Sequence, residues 1–228
     1  MTGIVLTGAS RGIGAAIAQR LRAEPGVRLL EFASRDGDLA DPATPARLWE
    51  RAVGEFGRVD VLINNAGVFE DAPIDLPDAE WTAIWARTLQ INLVASAELC
   101  RLAVRHFREA GGGRVVNIAS RAAYRGDSPA HWHYAASKGG MVAMTKSIAR
   151  GFASDGVLAF SVCPGFVMTG MAEEYLAGRG GAKILADIPL GRVATPDEVA
   201  EVTAFCALTA PPSMTGSAID VNGASFVR

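Results

Sequence analysis

Residues 3–14 read GIVLTGASRGIG, an apolar run that leads directly into closely spaced glycines. The run is typical of a buried parallel strand, and Ile13, Ile17 and Leu21 then recur at helical spacing. In a strand–turn–helix unit, such glycines permit a tight turn, close approach of a pyrophosphate and close packing of helix on strand. The free N–H groups of the helix N-terminus also favour phosphate. The stretch therefore predicts an α/β fold with a dinucleotide site, and a purely structural turn is the alternative.

The end of the second predicted strand, at residues 27–33, is where such a unit selects between dinucleotides. An acid there would bind the ribose hydroxyls of NAD, but the strand ends without one. Arg35 follows it, and Arg11 lies in the glycine loop. Two guanidinium groups suit a 2′-phosphate, so NADP is favoured and NAD remains possible. Asp36 and Glu31 weaken this prediction, because either carboxylate could lie close to the ribose.

The segment after the second strand is too short for a complete doubly wound unit. Only six residues separate Arg35 from Pro42, where a crossover helix and a third strand are expected. We therefore predict that one crossover helix is missing and that the third strand is truncated. Asp41 as N-cap and Pro42 as the first helical residue predict a helix that runs to about Phe56.

Strand and helix patterns alternate along the rest of the chain without a repeat or a linker. We predict a single Rossmann-type domain over residues 1–228, a doubly wound parallel sheet with helices on both faces. The glycine-rich segment 166–192 is predicted to be a mobile lid. Further strands are predicted at 59–63, 114–119, 157–162 and 218–221, and helices at 77–109, 134–154 and 196–208.

Composition excludes several classes of function. The net charge of -2 shows no electrostatic footprint for nucleic acid or an anionic membrane. No apolar run is long enough to span a bilayer. Three widely spaced cysteines are typical of reduced thiols in the cytoplasm, and the histidines lack metal-ligand spacing. We expect a cytoplasmic protein with no metal.

A tyrosine and a lysine, Tyr134 and Lys138, lie four residues apart on a predicted helix and so share one face. A phenol has a pKa of about 10. A neighbouring ammonium favours the phenolate, so the pair could transfer a proton near neutral pH. Alone the pair is weak evidence, since a core tyrosine beside a solvated lysine is common. The amides of Asn64 and Asn65 after a strand are similarly ambiguous, because they could cap backbone or approach a cofactor.

Taken together, the motifs resemble the short-chain dehydrogenase/reductase family, in its single-domain soluble branch. The C-terminal part, residues 188–223, is similar to the 3-oxoacyl-carrier-protein reductases. Two departures are a shortened segment before NNAG and a Ser120-to-Tyr134 spacing of 14 residues, longer than is usual in the family. The motifs are TGxxxGxG at 7–14, NNAG at 64–67, Asn92, Ser120, YxxxK at 134–138, Pro164-Gly165 with Thr169, and VNG at 221–223.

The resemblance implies a catalytic role for four residues. Tyr134 is expected to be the general acid in reduction and the general base in oxidation. Lys138 is expected to lower the pKa of Tyr134 and to hold the nicotinamide ribose. Ser120 is expected to donate a hydrogen bond to the substrate oxygen. Asn92 is expected to hold a water in a proton relay to Lys138, and a buried Asn that satisfies a local kink is the alternative.

The resemblance also implies cofactor and substrate contacts. Asp38 is expected on the adenine side of the cofactor, and Thr169 with the backbone near Val167 at the carboxamide. Substrate contacts are predicted for Ser120, Arg121, Trp132 and Tyr134, although the 121–133 segment is equally typical of a surface loop. The predicted cofactor residues are Gly8, Ser10, Arg11, Gly12, Ile13, Gly14, Arg35, Asp38, Leu39, Asn65, Ala66, Gly67, Tyr134, Lys138, Pro164, Gly165, Val167 and Thr169.

The resemblance thus implies an NADP-preferring oxidoreductase that interconverts a small-molecule ketone and a secondary alcohol. An NAD-dependent alcohol, sugar-alcohol or steroid-type dehydrogenase is the alternative. A non-catalytic dinucleotide sensor is a further alternative, which the intact Ser120, Tyr134 and Lys138 disfavour. A homodimer or homotetramer is expected, with contacts along helices 78–110 and 134–154.

Overall fold

The protein is described by a computed structural model over residues 1–169 and 181–228. This part of the chain contains one six-stranded sheet with the strand order β2-β1-β3-β4-β5-β6. Every neighbouring pair of strands runs parallel. The strands are β1 Thr2–Thr7, β2 Val27–Phe32, β3 Val61–Asn64, β4 Gly113–Ile118, β5 Val157–Pro164 and β6 Ala218–Val221.

Helices connect successive strands and cover both faces of the sheet. A π-helical turn, Gln90–Val94, joins α3 directly to α4. Short 3₁₀ turns occur at Ala153–Asp155 and Pro212–Met214. The helices are α1 Gly12–Arg22, α2 Thr44–Phe56, α3 Asp78–Leu89, α4 Ala95–Ala110, α5 Ala122–Arg125, α6 Trp132–Phe152, α7 Gly181–Ala186 and α8 Pro196–Leu208.

Two apolar cores lie on opposite faces of the sheet, because successive strand residues point to opposite sides. Ile4 and Leu6 of β1 point into the core formed with α1 and α8. Val5, between them, points into the core formed with α2, α4 and α6. Strands buried on both faces explain the continuous apolar runs in the sequence. The predicted doubly wound α/β fold is confirmed.

The shortened segment removes one strand from the sheet. The chain leaves β2 at Phe32 and passes through residues 33–43 into α2, with no strand before Val61. A side-chain carbon at Gly37 would lie 2.7 Å from Cγ2 of Thr44, so the backbone passes directly against the start of α2. The predicted loss of the crossover helix is therefore observed, and the third strand is absent from this segment.

Some element boundaries differ from the predictions. Helix α2 begins at Thr44, because the carboxylate of Asp41 accepts a hydrogen bond from the Ala43 N–H at 2.9 Å and forms a turn before the helix. The 77–109 helix is divided by the π-helical turn. A four-residue helix, α5, occupies part of the predicted 121–133 loop. Of the predicted lid, residues 170–180 lie outside the described part of the chain.

Candidate active site

The carboxyl ends of the parallel strands bring the predicted motifs to one edge of the sheet. The glycine loop follows β1, and NNAG spans the end of β3. Ser120 lies two residues beyond β4, and Gly165 follows β5 directly. In open α/β sheets, ligands bind in the crevice at this edge. The topology therefore places residues from distant parts of the sequence around one crevice.

The glycine loop has the geometry that a pyrophosphate requires. Gly8 and Gly12 have φ angles of 70° and 53°, in the left-handed region that favours glycine. A side-chain carbon at Gly14 would lie 2.0 Å from the Gly8 carbonyl oxygen, so only glycine fits there. No side chain caps the N-terminus of α1, where Arg11 is the N-cap. The loop therefore fits the phosphates of a dinucleotide.

The NNAG amides tie backbone segments together. Asn65 Nδ2 donates hydrogen bonds to the carbonyl oxygens of Thr7 at 3.2 Å and Gly8 at 3.0 Å. Asn64 Nδ2 donates to Asn117 Oδ1 at 2.9 Å inside the sheet. Asn65 therefore caps backbone as one interpretation predicts, whereas Asn64 bonds another side chain. By fixing the glycine loop against the end of β3, Asn65 also shapes the predicted dinucleotide site.

Residues beyond β5 border the same crevice. A side-chain carbon at Gly12 would lie 3.1 Å from Thr169 Cγ2, which places Thr169 against the glycine loop. A side-chain carbon at Gly165 would lie 2.8 Å from Asn222 Cβ, so the PG and VNG motifs pack together. Val167 is buried beside them. The expected contacts of Thr169 and Val167 with the carboxamide of a cofactor stay predictions.

Beyond β2, the side chain of Arg35 is exposed to solvent, whereas the carboxylate of Asp36 forms hydrogen bonds and ion pairs within the protein. The Arg35 side chain is 79% exposed, and its Nε lies 3.8 Å from Asp36 Oδ2. Asp36 accepts a hydrogen bond from the Ala33 N–H at 3.0 Å and pairs with Arg51 at 3.0 Å. The Ala33 hydrogen bond, together with Arg51, lowers the pKa of Asp36. The Asp36 carboxylate is therefore held by its own turn and by α2.

The other acids near β2 are also engaged. Glu31 forms an ion pair with Arg22 at the end of α1. Asp38 Oδ1 accepts a hydrogen bond from the Ala40 N–H at 2.9 Å, and the Leu39 carbonyl accepts one from Gln90 at 3.3 Å. The roles of Asp38 and Leu39 toward a cofactor stay predictions.

Tyr134 and Lys138 share one face of α6, with Lys138 Nζ 5.8 Å from the Tyr134 ring centroid. Lys138 is buried, and its Nζ donates to the Ile118 carbonyl at 2.8 Å. Burial lowers the pKa of Lys138 to about 8. Loss of solvent around the phenol raises the pKa of Tyr134 to about 12, and contact with Ser120 acts in the opposite direction. The pKa of Tyr134 is therefore raised in this geometry, and the expected effect of Lys138 on it stays a prediction.

Asn92 lies in the π-helical turn and is fully buried. Its Oδ1 accepts the Val68 N–H at 2.8 Å, and its Nδ2 donates to the Val68 carbonyl at 3.0 Å and to Ser137 Oγ at 3.2 Å. A side-chain carbon at Gly67 would lie 3.2 Å from Asn92 Oδ1 and 3.7 Å from Lys138 Nζ. Asn92 therefore anchors the chain after NNAG beside Lys138, and its predicted water relay stays a prediction.

The predicted substrate residues lie in different surroundings. Ser120 is nearly buried, and its Oγ accepts the Ala122 N–H at 3.1 Å. The guanidinium of Arg121 lies 5.0 Å from the centroid of the Phe166 ring. Burial and the nearby charge of Arg125 lower the pKa of Arg121. Trp132 is half-exposed at the start of α6. The substrate roles stay predictions.

Sequence reasoning missed one aromatic residue at this site. The ring of Phe69 meets the ring of Tyr134 at a centroid distance of 4.8 Å and an angle of 89°. Its position two residues after NNAG is the signal that could have indicated it, because that segment continues from the carboxyl end of β3.

The fold and this crevice define a dinucleotide-binding oxidoreductase. A glycine loop that fits a pyrophosphate lies at the same sheet edge as a hydroxyl–phenol–ammonium group. Within residues 1–169 and 181–228, no three His, Cys, Asp or Glu side chains form a group that could hold a metal. The described helices include none that is both long and apolar enough to cross a membrane.

Comparison with known proteins supports this class and specifies it. The family model described as "Enoyl-(Acyl carrier protein) reductase" matches residues 23–224. The chain belongs to the short-chain dehydrogenase/reductase family, whose members are oxidoreductases that use a nicotinamide dinucleotide on small-molecule substrates.

Three curated relatives align over nearly the whole chain. The 3-oxoacyl-(acyl-carrier-protein) reductase FabG of Escherichia coli (strain K12) is 33% identical over 98% of this chain and 96% of that protein. The cis-4-hydroxycyclohexanecarboxylate dehydrogenase of Sinomonas cyclohexanicum is 35% identical over 96% and 94%, respectively. The D-threitol dehydrogenase of Mycolicibacterium smegmatis is 33% identical over 98% and 92%. The alignments extend across the shortened segment.

Proposed function

We propose that the protein is an NADP-preferring oxidoreductase that interconverts a ketone and a secondary alcohol. The observation that carries this proposal is the convergence of Ser120, Tyr134 and Lys138 beside the glycine loop. A relative named as a 3-oxoacyl-(acyl-carrier-protein) reductase supports the same reaction class.

The side chains divide the acid–base work. When bound, the nicotinamide supplies or accepts the hydride. With a pKa of about 12, Tyr134 keeps its proton near neutral pH and can donate it to a carbonyl oxygen that gains negative charge. Ser120 donates a hydrogen bond to the same oxygen. The Lys138 ammonium, one helical turn away, stabilises the phenolate that remains. A tyrosine that is protonated at neutral pH is in the state that reduction requires.

The residues proposed to hold the cofactor follow the crevice from β2 to β5. The glycine loop and the N-terminus of α1 bind the pyrophosphate. Arg35 and Arg11, both exposed, bind the 2′-phosphate. Asp36 pairs with Arg51 as well as with Arg35, and Glu31 pairs with Arg22, so neighbouring arginines offset the charge of both carboxylates near that position. Lys138 contacts the nicotinamide ribose.

The preference for NADP is tested by titrating NADPH and NADH against wild type and Arg35→Ala, with fluorescence as the signal. Loss of one charge-assisted contact should raise the Kd for NADPH by about 10- to 100-fold and leave that for NADH nearly unchanged. Arg101→Ala, which removes another exposed arginine on α4, is the matched control. Equal affinity of wild type for the two nucleotides would contradict the preference.

The catalytic role is tested with Tyr134→Phe. Removal of the proton donor should lower kcat by about 10²- to 10⁴-fold while the Kd for NADPH stays within about twofold of wild type. The same experiment separates an enzyme from a dinucleotide sensor, because a sensor has no turnover for the substitution to remove. Retention of most of the wild-type turnover would exclude Tyr134 as the acid.

A second candidate is an NAD-dependent dehydrogenase that oxidises an alcohol or a sugar alcohol. Two relatives named as dehydrogenases, of cis-4-hydroxycyclohexanecarboxylate and of D-threitol, favour it. Alcohol oxidation needs Tyr134 as a base, so the rate of oxidation should rise steeply as the pH increases. Tighter binding of NADH than of NADPH, together with faster oxidation than reduction at neutral pH, would favour this candidate.

The assembly and compartment expected from the sequence are also proposals. We infer a homodimer or homotetramer through α4 and α6, which light scattering at micromolar concentration would test. The free, buried state of Cys100, Cys163 and Cys206 supports a reducing compartment, the cytoplasm.

A further inference from the structure

An exposed aromatic side chain lies directly against the proposed catalytic tyrosine. Phe69 is 54% exposed, although phenylalanine side chains are usually buried. One face of its ring stacks on His131 at a centroid distance of 3.8 Å and an interplanar angle of 5°. The ring also meets Tyr134 in a perpendicular arrangement at 4.8 Å. Phe69 thus contacts the Tyr134 ring and still keeps more than half of its surface open to solvent.

His131 is held by a hydrogen bond at one ring nitrogen, and the other ring nitrogen lies near a carboxylate without a hydrogen bond. Its Nδ1 forms a hydrogen bond with Ser128 Oγ at 2.7 Å, and its Nε2 lies 3.0 Å from Asp71 Oδ1. The His131 residue is only 7% exposed. The Ala72 N–H also donates to the Ala130 carbonyl at 2.9 Å, which joins the two loops that carry Phe69 and His131. His131 is thus a fixed support for the Phe69 ring.

The chain before Phe69 is fixed from the other side. Asn92 satisfies both the N–H and the carbonyl of Val68, the residue that precedes Phe69. The backbone of Phe69 is therefore anchored to the π-helical turn, while its ring is anchored to His131. An exposed aromatic ring that is held in place this way is ordered before a ligand arrives, so binding costs little additional entropy.

We propose that Phe69 is a specificity-determining residue that forms an apolar wall of the carbonyl site, with His131 as its positioning residue. The substrate that this wall fits carries an apolar ring or a branched alkyl group next to the reacting carbonyl. Such a group excludes water from the open surface of Phe69, which a small or strongly polar substrate does not. The proposal rests on the proposed function and adds the substrate class to it.

The wall is tested by comparing cyclohexanone with acetone as substrates, with NADPH as the reductant. Wild type should show a higher kcat/KM for cyclohexanone, and Phe69→Ala should lower the ratio of the two values by about 10- to 100-fold. Phe205→Ala is the control, because Phe205 is 41% exposed on α8, on the other face of the sheet. An unchanged ratio in Phe69→Ala, or an equal loss in Phe205→Ala, would overturn the proposal.

The role of His131 is tested with a pair of variants. His131→Ala removes the stacking surface and should lower the cyclohexanone-to-acetone ratio as Phe69→Ala does. His131→Phe keeps an aromatic ring under Phe69 and should restore the ratio, which a general structural defect would not allow. If His131→Phe behaves like His131→Ala, stacking is not what positions the wall.

A binding measurement separates this proposal from the proposed function. Cyclohexanol is titrated against the protein with NADPH, a combination that cannot react, and its contact is detected by saturation-transfer NMR. Weaker binding to Phe69→Ala than to Phe205→Ala supports the wall even if no ketone is reduced, in which case the proposed function alone fails. If ketones are reduced but both variants bind cyclohexanol equally well, the proposed function holds and the proposed role of Phe69 is wrong.

Discussion

Lys138 combines a proposed catalytic role with an unfavourable environment. Its pKa falls from 10.5 to about 8, because burial disfavours the ammonium. Below about pH 8 the folded protein must keep this charge buried, whereas the unfolded chain keeps it in water. The resulting destabilisation is full at neutral pH and disappears as the pH rises from about 8 toward 10.5. The charge that the proposed reaction needs thus lowers the stability of the folded protein at neutral pH.

We therefore expect Lys138→Met to abolish most turnover and to raise the free energy of unfolding at pH 7, by up to an amount on the order of 3 kcal/mol. The gain should shrink as the pH rises above 8. Lys146→Met, at an exposed position on the same helix, should show no such pH-dependent gain. Urea unfolding at pH 7 and pH 9.5 measures both variants. A Lys138→Met protein less stable than wild type at pH 7 would contradict the expectation.

At the scale of the element, the π-helical turn explains why a poor helix former lies between α3 and α4. The turn carries Asn92, whose amide takes the place of a strand partner for the backbone of Val68. π-Turns inside α-helices are frequent at functional sites. The sequence marked Asn92 as unusual, but the change of helix type depends on contacts with residues after β3 and in α6.

We expect Asn92→Ala to lower the free energy of unfolding by about 1 to 3 kcal/mol, because it leaves two partly buried backbone groups of Val68 unpaired. Asn92→Asp keeps an acceptor for the Val68 N–H. It should lower the free energy of unfolding by less than Asn92→Ala if the contact with the N–H dominates. Urea denaturation of the three proteins gives the comparison. An Asn92→Ala protein as stable as wild type would show that water replaces the amide.

At the scale of the whole molecule, the crevice persists although one edge strand is absent. The four strand ends that carry the motifs belong to β1, β3, β4 and β5, which remain adjacent in the sheet. The missing unit lies beyond β2, on the outer edge. Loss of that unit therefore leaves Ser120, Tyr134, Lys138 and the glycine loop in place.

We accordingly expect NADPH to stabilise the whole domain. At 100 times its Kd, the nucleotide should add about 2.7 kcal/mol, which raises the Tm by about 5 to 10 °C for a chain of this size. Gly14→Ala should remove the shift, because its side-chain carbon would lie 2.0 Å from the Gly8 carbonyl. Gly54→Ala, where a side-chain carbon meets nothing within 4 Å, should retain it. A wild-type Tm unaffected by either nucleotide would contradict a functional cofactor site.

The fold class, the missing crossover unit and the approach of the motifs to one edge of the sheet could be predicted from the amino-acid sequence. These follow from short-range rules: glycine is needed where φ is positive, strand and helix patterns have different periods, and parallel strands share one carboxyl edge. The position of Gly8 could therefore be predicted from the strand–turn–helix pattern, and those of Ser120 and Tyr134 from the resemblance of their motifs to those of the family.

The electrostatics and the shape of the site could not be predicted from the sequence, because they depend on packing. The pKa values of Tyr134 and Lys138 depend on how much solvent the packed chain removes, and sequence spacing suggested the opposite direction for the tyrosine. The stacking of Phe69 on His131 joins loops that are far apart in the chain. Desolvation and long-range contacts arise only when the whole sheet is assembled, which is the physical reason that no local pattern encodes them.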